Sequence, residues 1–314
     1  MNACLVCRGT ETLPFCVAAD RLAVDPDARY QILRCSTCGL GWTHPQIPDD
    51  EIGRFYPSDY LGSPASVLHE FRSGRWRGTS SWRMEDEKAR LVRRYSAGGA
   101  ILDVGCGEGK FLWALDPERW TRLGLEVDRR VVAAVEGRVP GVRVAAGDLE
   151  SARLAPGSLE VVTFWHVLEH LLDPSAAVAR ASEALRPGGL LIVSLPNLDS
   201  HQADWFRSAW FPFGDVPRHR FHFSRRSLHL LLRNTGLVVE ATEFFSRAVN
   251  FHCWKHSLRA WLKGRPGGEW SYYPLKPILH LLPLLERWSG RYATMTVVAR
   301  KRAEANVGSG EAGR

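Results

Sequence analysis

The sequence has no apolar run approaching the roughly 20 residues of a membrane-spanning helix. Its first residues lack the basic, apolar and small-residue order of a secretory signal. These absences predict a cytoplasmic protein without a transmembrane segment, whose seven cysteines stay reduced. A dinucleotide fingerprint is also missing. Its third glycine would fall at Lys110. Charge of either sign is plentiful, with 41 basic against 34 acidic residues and a formal net charge of +7. That balance permits an acidic partner such as nucleic acid, a phosphorylated sugar or an anionic membrane surface, without requiring one.

What is present is organised around Ile101-Leu-Asp-Val-Gly-Cys-Gly-Glu-Gly-Lys-Phe-Leu112. Ile101, Leu102 and Val104 form the short apolar run of a buried parallel strand. Gly105, Gly107 and Gly109 follow at alternate positions and allow a ligand to touch the backbone. Phe111, Leu112 and Leu115 open a helical pattern, so strand, glycine turn and helix start are predicted to form a cradle of free N–H groups. After a second apolar run stands Glu126, at the distance where an acid accepts hydrogen bonds from two ribose hydroxyls.

The spacing Asp103-x-Gly105-x-Gly107-x-Gly109 resembles motif I of the S-adenosylmethionine-dependent methyltransferases of the seven-stranded, Rossmann-like class. That resemblance implies a cofactor site of Asp103, Gly105, Cys106, Gly107, Gly109, Glu126, Val127, Asp148, Leu149 and Trp165. Asp148 lies just past the third strand, where the class binds the adenine amino group, although aspartate also favours turns for its own sake. The run Phe164-Trp-His-Val-Leu-Glu-His170 with Asp173-Pro174 is similar to the post-strand motif of a small-molecule branch that includes ubiquinone-pathway O-methyltransferases. Pro217, His219, Phe223 and Ser224 match a second pattern of that branch. His166, Glu169, His219 and His222 are therefore candidate bases. His166 and His170, four apart, would share a helix face. No Asn/Asp-Pro-Pro-aromatic motif of the amino-methylating nucleic-acid enzymes is present, which counts against base methylation on an exocyclic amine.

Cys4-x-x-Cys7 and Cys35-x-x-Cys38 read as two knuckles aiming four thiolates at one structural Zn²⁺, with Glu11 to Arg34 filling the gap as a hairpin. A four-cysteine ribbon ahead of this core resembles the layout of deoxysugar C-methyltransferases, whose chains are longer.

The expected organisation is a zinc-ribbon module at 1–45, a linker and helical segment at 46–97, and a methyltransferase domain at 98–302. Inserts are expected at about 198–224 and 247–291, and a disordered tail at 303–314. Phe55, Tyr56 and Tyr60 pack over the cofactor entrance or against the core. Arg83 to Tyr95 is a helix whose mixed charges suit a solvated face, or else a grip on an anionic substrate. The second insert carries Trp254, Lys255, Arg259, Trp261 and Lys263, and its apolar part is too short and proline-broken to span a bilayer. It either packs on the core or makes peripheral contact with a membrane. The expected function is methyl transfer to a small-molecule acceptor such as a nucleotide sugar or glycoside. The rivals are an RNA methyltransferase with a zinc module and a non-catalytic partner-binding protein.

Overall fold

The computed structural model describes residues 3–57, 79–135, 139–244, 247–263 and 281–303, with 265, 268, 272–275, 277 and 279. The expectations for Tyr60 and for the tail beyond residue 303 lie outside the described residues.

Two sheets make the frame. The first is antiparallel and runs β1 (Thr12–Ala18), β2 (Tyr30–Cys35), β3 (Gly41–His44) and β9 (Phe221–His222). The segment between the cysteine pairs is thus the expected hairpin, β1 on β2. The first sheet extends past the boundary expected at residue 45, because its fourth strand comes from the end of the expected first insert.

The second sheet has seven strands in the order β10-β11-β8-β7-β4-β5-β6. These are β4 (Gly99–Val104), β5 (Trp120–Glu126), β6 (Val142–Ala146), β7 (Leu159–Trp165), β8 (Leu185–Pro196), β10 (Leu237–Glu243) and β11 (Thr294–Lys301). Strands β4 to β8 pair in parallel, while β11 runs antiparallel to both β8 and β10. Runs such as Val161-Val162 and Leu190 to Val193 are fully buried because helices cover both faces of a parallel sheet.

Short helices α1 (Asp49–Ile52) and α3 (Lys110–Trp113), and longer α2 (Ser80–Tyr95), α4 (Arg129–Val135), α5 (Pro174–Ala184) and α7 (Arg225–Asn234), join these strands. Helix α7 starts at Ser224, whose hydroxyl and that of Ser227 cap reciprocally. The inserts add α6 (His201–Phe206), α8 (Arg247–Lys263), α9 (Tyr272–Leu275) and α10 (Leu282–Ser289).

The second insert divides its aromatics. Trp254, Leu262, Tyr272 and Leu279 are buried, whereas Tyr273, Leu281 and Trp288 stand in solvent. Among the described residues no helix is long and apolar enough to cross a membrane.

Strand order reverses at β4, whose neighbours are β5 on one side and β7 on the other. Ligands of open α/β sheets lie beyond the carboxyl ends at such a switch point.

Candidate active site

Beyond the ends of β4 and β7 opens a cleft of about 240 Å³, lined by Asp103, Gly105, Cys106, Phe111 and Trp165 and by Glu85, Lys88, Glu108 and Lys110. Its floor is the glycine turn. Gly105 has φ +66°, and a Cβ there would sit 2.5 Å from Val167 Cγ2. Gly107 has φ +50° with nothing within 4 Å of an added Cβ, so open space faces its backbone. Only glycine combines that conformation with such access. The helix expected after the turn is one turn long, α3, so the cradle consists of loop amides rather than a helix end.

Glu126 is 6% exposed and faces this turn. Its Oε2 accepts the Gly107 N–H at 2.9 Å and its Oε1 the Asp128 N–H at 3.0 Å. Each oxygen keeps a second lone pair, the capacity two ribose hydroxyls require. Val127, beside it, is 71% exposed. Asp148 lies one strand over. Its Oδ1 accepts from the Ser151 N–H at 2.8 Å and hydroxyl at 2.7 Å, which hold it below the usual carboxylate range. The turn role and the ligand role are thus both open to it. Leu149 is buried behind it.

Asp103 pairs in register with Thr163 of β7, whose hydroxyl donates to its Oδ1 at 2.6 Å. Burial pushes its carboxyl up to about 7, against the pull of that hydrogen bond and of Lys88. Lys88 bonds Glu85 at 2.9 Å and stands 5.4 Å from the Trp165 ring. The α2 face expected to be solvated therefore forms one cleft wall. Charge alternation along a helix does not say which face packs, so the sequence held no signal for it.

The catalytic candidates lie just past Trp165. His166 adopts φ 58°, and its N–H donates to Ser194 O at 2.8 Å. A side chain rarely takes that left-handed conformation, and here it turns the chain sharply at the cleft edge. The imidazole is 40% exposed, and its Nδ1 lies 3.3 Å from Oε1 of Glu169, which is 1% exposed. The expected shared helix face for His166 and His170 is not formed. Only Leu168–His170 make a 3₁₀ turn, and Asp173 caps the next helix through the Ser175 and Ala176 N–H groups.

His219 comes instead from the first insert and sets its ring edge-on to His170 at 4.6 Å. One nitrogen or oxygen each from Glu169, His170 and His219 falls within 4.8 Å of the others. His170 Nδ1 also meets the Tyr56 hydroxyl at 3.1 Å. Burial lowers His170 to about 4 and His219 to about 3, so both rings are neutral near pH 7. His222, 3% exposed, faces the first sheet, with Nε2 3.0 Å from Thr43 Oγ1. Its ring stands 6.3 Å from that of His219, edge-on, behind the other candidates.

At the far end of the first sheet, Cys4 and Cys38 sulfurs lie 3.5 Å apart, as do Cys7 and Cys35, and all four fall within 4.8 Å. The spacing is too wide for a disulfide and suits four thiolates around one ion. The sulfur hydrogen bond between Cys4 and Cys38 lowers the former and raises the latter.

A family model for a methyltransferase domain matches residues 72–242. A probable S-adenosylmethionine-dependent methyltransferase of Mycolicibacterium smegmatis is 35% identical over 156 residues, 49% of this chain and 57% of that protein. The chain thus spans about half the length of the first curated relatives it matches. A ubiquinone biosynthesis O-methyltransferase of Xanthomonas euvesicatoria is 30% identical over 198 residues, 58% of this chain and 77% of that one. A putative methyltransferase structure from Bacillus halodurans covers 69% of this chain and 99% of its own, at 16% identity and a TM-score of 0.48. With the match to the family model covering more than half of the chain and the glycine cleft in place at the switch point, this chain belongs to the S-adenosylmethionine-dependent methyltransferases of class I.

Proposed function

We propose that the chain moves a methyl group from S-adenosylmethionine to a small-molecule acceptor in the cytoplasm, in cell-surface sugar or secondary-metabolite biosynthesis. One observation carries this reading: the imidazole of His166, backed by the buried Glu169 carboxylate, sits one residue beyond the Trp165 that lines the glycine cleft. A nucleophile held there meets both a donor site and a base.

The residues of the cleft fit the cofactor. The Gly105–Gly109 turn presents backbone amides and open space to the methionine portion. Glu126 takes the ribose, Val127 and Leu149 flank the adenine, and Asp148 accepts from its edge. When bound, the cofactor supplies a methyl group already made electrophilic by a sulfonium. The protein's work is then to hold donor and acceptor in contact and to take one proton. His166 Nε2 accepts that proton while the Glu169 carboxyl, 3.3 Å from Nδ1, stabilises the imidazolium. His219, buried, and His170, half-buried, are both neutral and bound the acceptor side. The four cysteines hold one structural Zn²⁺, which leaves no open position for chemistry. The methyltransferase unit runs from about residue 98 to 302.

Calorimetric titration with S-adenosylhomocysteine tests the cofactor half, and wild type that shows no binding overturns the reading. Counting transferred radiolabelled methyl across a panel of nucleoside-diphosphate sugars and phenols tests the acceptor half. His166→Ala is expected to lower turnover by about 10²–10⁴-fold, the range of general base catalysis, with S-adenosylhomocysteine affinity unchanged. Unaltered turnover removes His166 from the mechanism.

A further inference from the structure

Between the four cysteines and the histidine cluster lies β3, and one of its side chains is placed where only function or chance would put a hydroxyl. Thr43 is 1% exposed. Its Oγ1 lies 2.6 Å from the carbonyl oxygen of His219 and 3.0 Å from Nε2 of His222. A carbonyl only accepts, so the single hydroxyl proton is committed to His219. Towards His222 the oxygen is then an acceptor, and Nε2 of that ring must carry the hydrogen. The chain of bonds runs one way, from His222 Nε2–H to the Thr43 hydroxyl to the His219 carbonyl. No other arrangement satisfies three buried polar groups with one hydroxyl proton.

The same residue holds the same segment through its backbone. Thr43 N–H donates to Arg220 O at 2.9 Å, and β3 pairs with β9 through Gly41 to His222 and Trp42 to Phe221. From the opposite side Arg220 N–H donates to Glu169 O at 2.9 Å, and His219 N–H to Asp215 O at 2.9 Å. Residues 219–222 are thus clamped between the first sheet and the loop that carries Glu169. The first sheet is itself fixed at the cysteine end. Cys35 N–H donates to Leu40 O at 2.8 Å, and the Ser224 hydroxyl to Cys38 O at 3.0 Å.

We infer that Thr43 is a positioning residue: through it the cysteine-bearing sheet sets the place of His219 and fixes His222 as its Nε2–H tautomer, beside the proposed acceptor site. That this is the acceptor side rests on the function proposed above. The positioning itself does not, and the test separates the two.

The experiment is ¹⁵N–¹H long-range correlation on the full chain labelled at histidine nitrogens. His222 is assigned by the signals lost in His222→Gln. Wild type is expected to show His222 as Nε2–H. Thr43→Val, which keeps the shape and removes the hydroxyl, is expected to shift His222 towards a mixture of tautomers and to move the His219 ring signals. Thr43→Ser restores both, as mere packing would not require. S-adenosylhomocysteine affinity is expected to stay within two-fold in both variants. An Nδ1–H or doubly protonated His222 in wild type overturns the inference even if Thr43→Val fails to fold. So does a Thr43→Val spectrum with both histidines unmoved, or a tenfold loss of S-adenosylhomocysteine affinity, which would mean general damage. Wild type that shows the expected tautomer but binds no S-adenosylhomocysteine instead removes the methyltransferase reading and leaves the positioning intact.

Discussion

The two sides of the candidate active site are built in opposite ways. The cofactor side is local. Asp103, the glycine turn and Glu126 lie within 24 residues and are joined by one strand crossover, with Glu126 bonding back to Gly107. The base side is assembled from distant parts of the chain: Thr43, Tyr56, Glu169 and His219 meet because residues 219–222 tie the first sheet to the loop that carries Glu169. Chemistry at the first depends on backbone conformation, which glycine spacing encodes. Chemistry at the second depends on tertiary ties, which no spacing encodes. Mutations far from the cleft should therefore damage the base side and spare the cofactor side.

Arg218 offers the hardest way to break that contrast. It is fully buried, and its guanidinium binds Asp20 at 2.7 Å, Asp215 at 3.3 Å and the Phe55 carbonyl at 2.9 Å. Asp215 keeps Arg21 at 2.6 Å, but Asp20 would be left with local backbone donors alone. Removing one partner of a buried pair costs about 3–5 kcal/mol. Exposed pairs such as Arg94 with Glu243 are worth at most about 1 kcal/mol. Arg218→Met is expected to lower the urea-unfolding free energy by about 3–5 kcal/mol, against under about 1 for Arg94→Met. Equal losses would show that Arg218 does not hold the first insert to the N-terminal segments at Asp20 and Phe55.

Glu126→Ala sharpens the comparison from the other side. Hydrogen bonds to a charged group contribute about 1.5–3 kcal/mol. S-adenosylhomocysteine affinity is accordingly expected to fall by about 10–100-fold, with the Thr43–His222 tautomer unchanged in the nitrogen spectrum. A coupled change in both would refute the independence of the two sides.

The sequence carried the parallel strands because burial on both faces leaves continuous apolar runs, as at Val161-Val162 and Leu190 to Val193. It carried the hairpin between the cysteine pairs only as a gap long enough to fold back on itself. It did not carry β9, two residues long and defined only by its pairing with β3. Nor did it carry the departure of His166 from a helix, since a four-residue histidine spacing is common to helices and to the turn found here. Arg218 and Arg220 belong to a basic stretch, and both are buried. Their partners Asp20 and Asp49 lie some 170 to 200 residues away.

The smallest effect concerns protons. Burial raises Asp103 from the ordinary 3.8 to about 7, so the folded protein favours its neutral form. By linkage, the stability this group contributes is fully present below its unfolded value and is lost as pH rises through about 7. A cation in the cleft reverses the preference. The ammonium and sulfonium of S-adenosylmethionine both favour the carboxylate, so binding between pH 5.5 and 7.5 should expel a proton from Asp103. Apparent affinity should then rise with pH, by at most about tenfold per unit. The window closes near 7.7–8.0, where an α-amino group itself begins to lose its proton. Calorimetry in two buffers of different ionisation enthalpy reads the proton count directly. Asp103→Asn is expected to abolish the release while leaving His166-dependent turnover in place at saturating cofactor. Proton uptake, or affinity flat across the window, would mean that the bound cofactor's charge lies away from Asp103, and the methionine portion would then have to be placed elsewhere in the cleft.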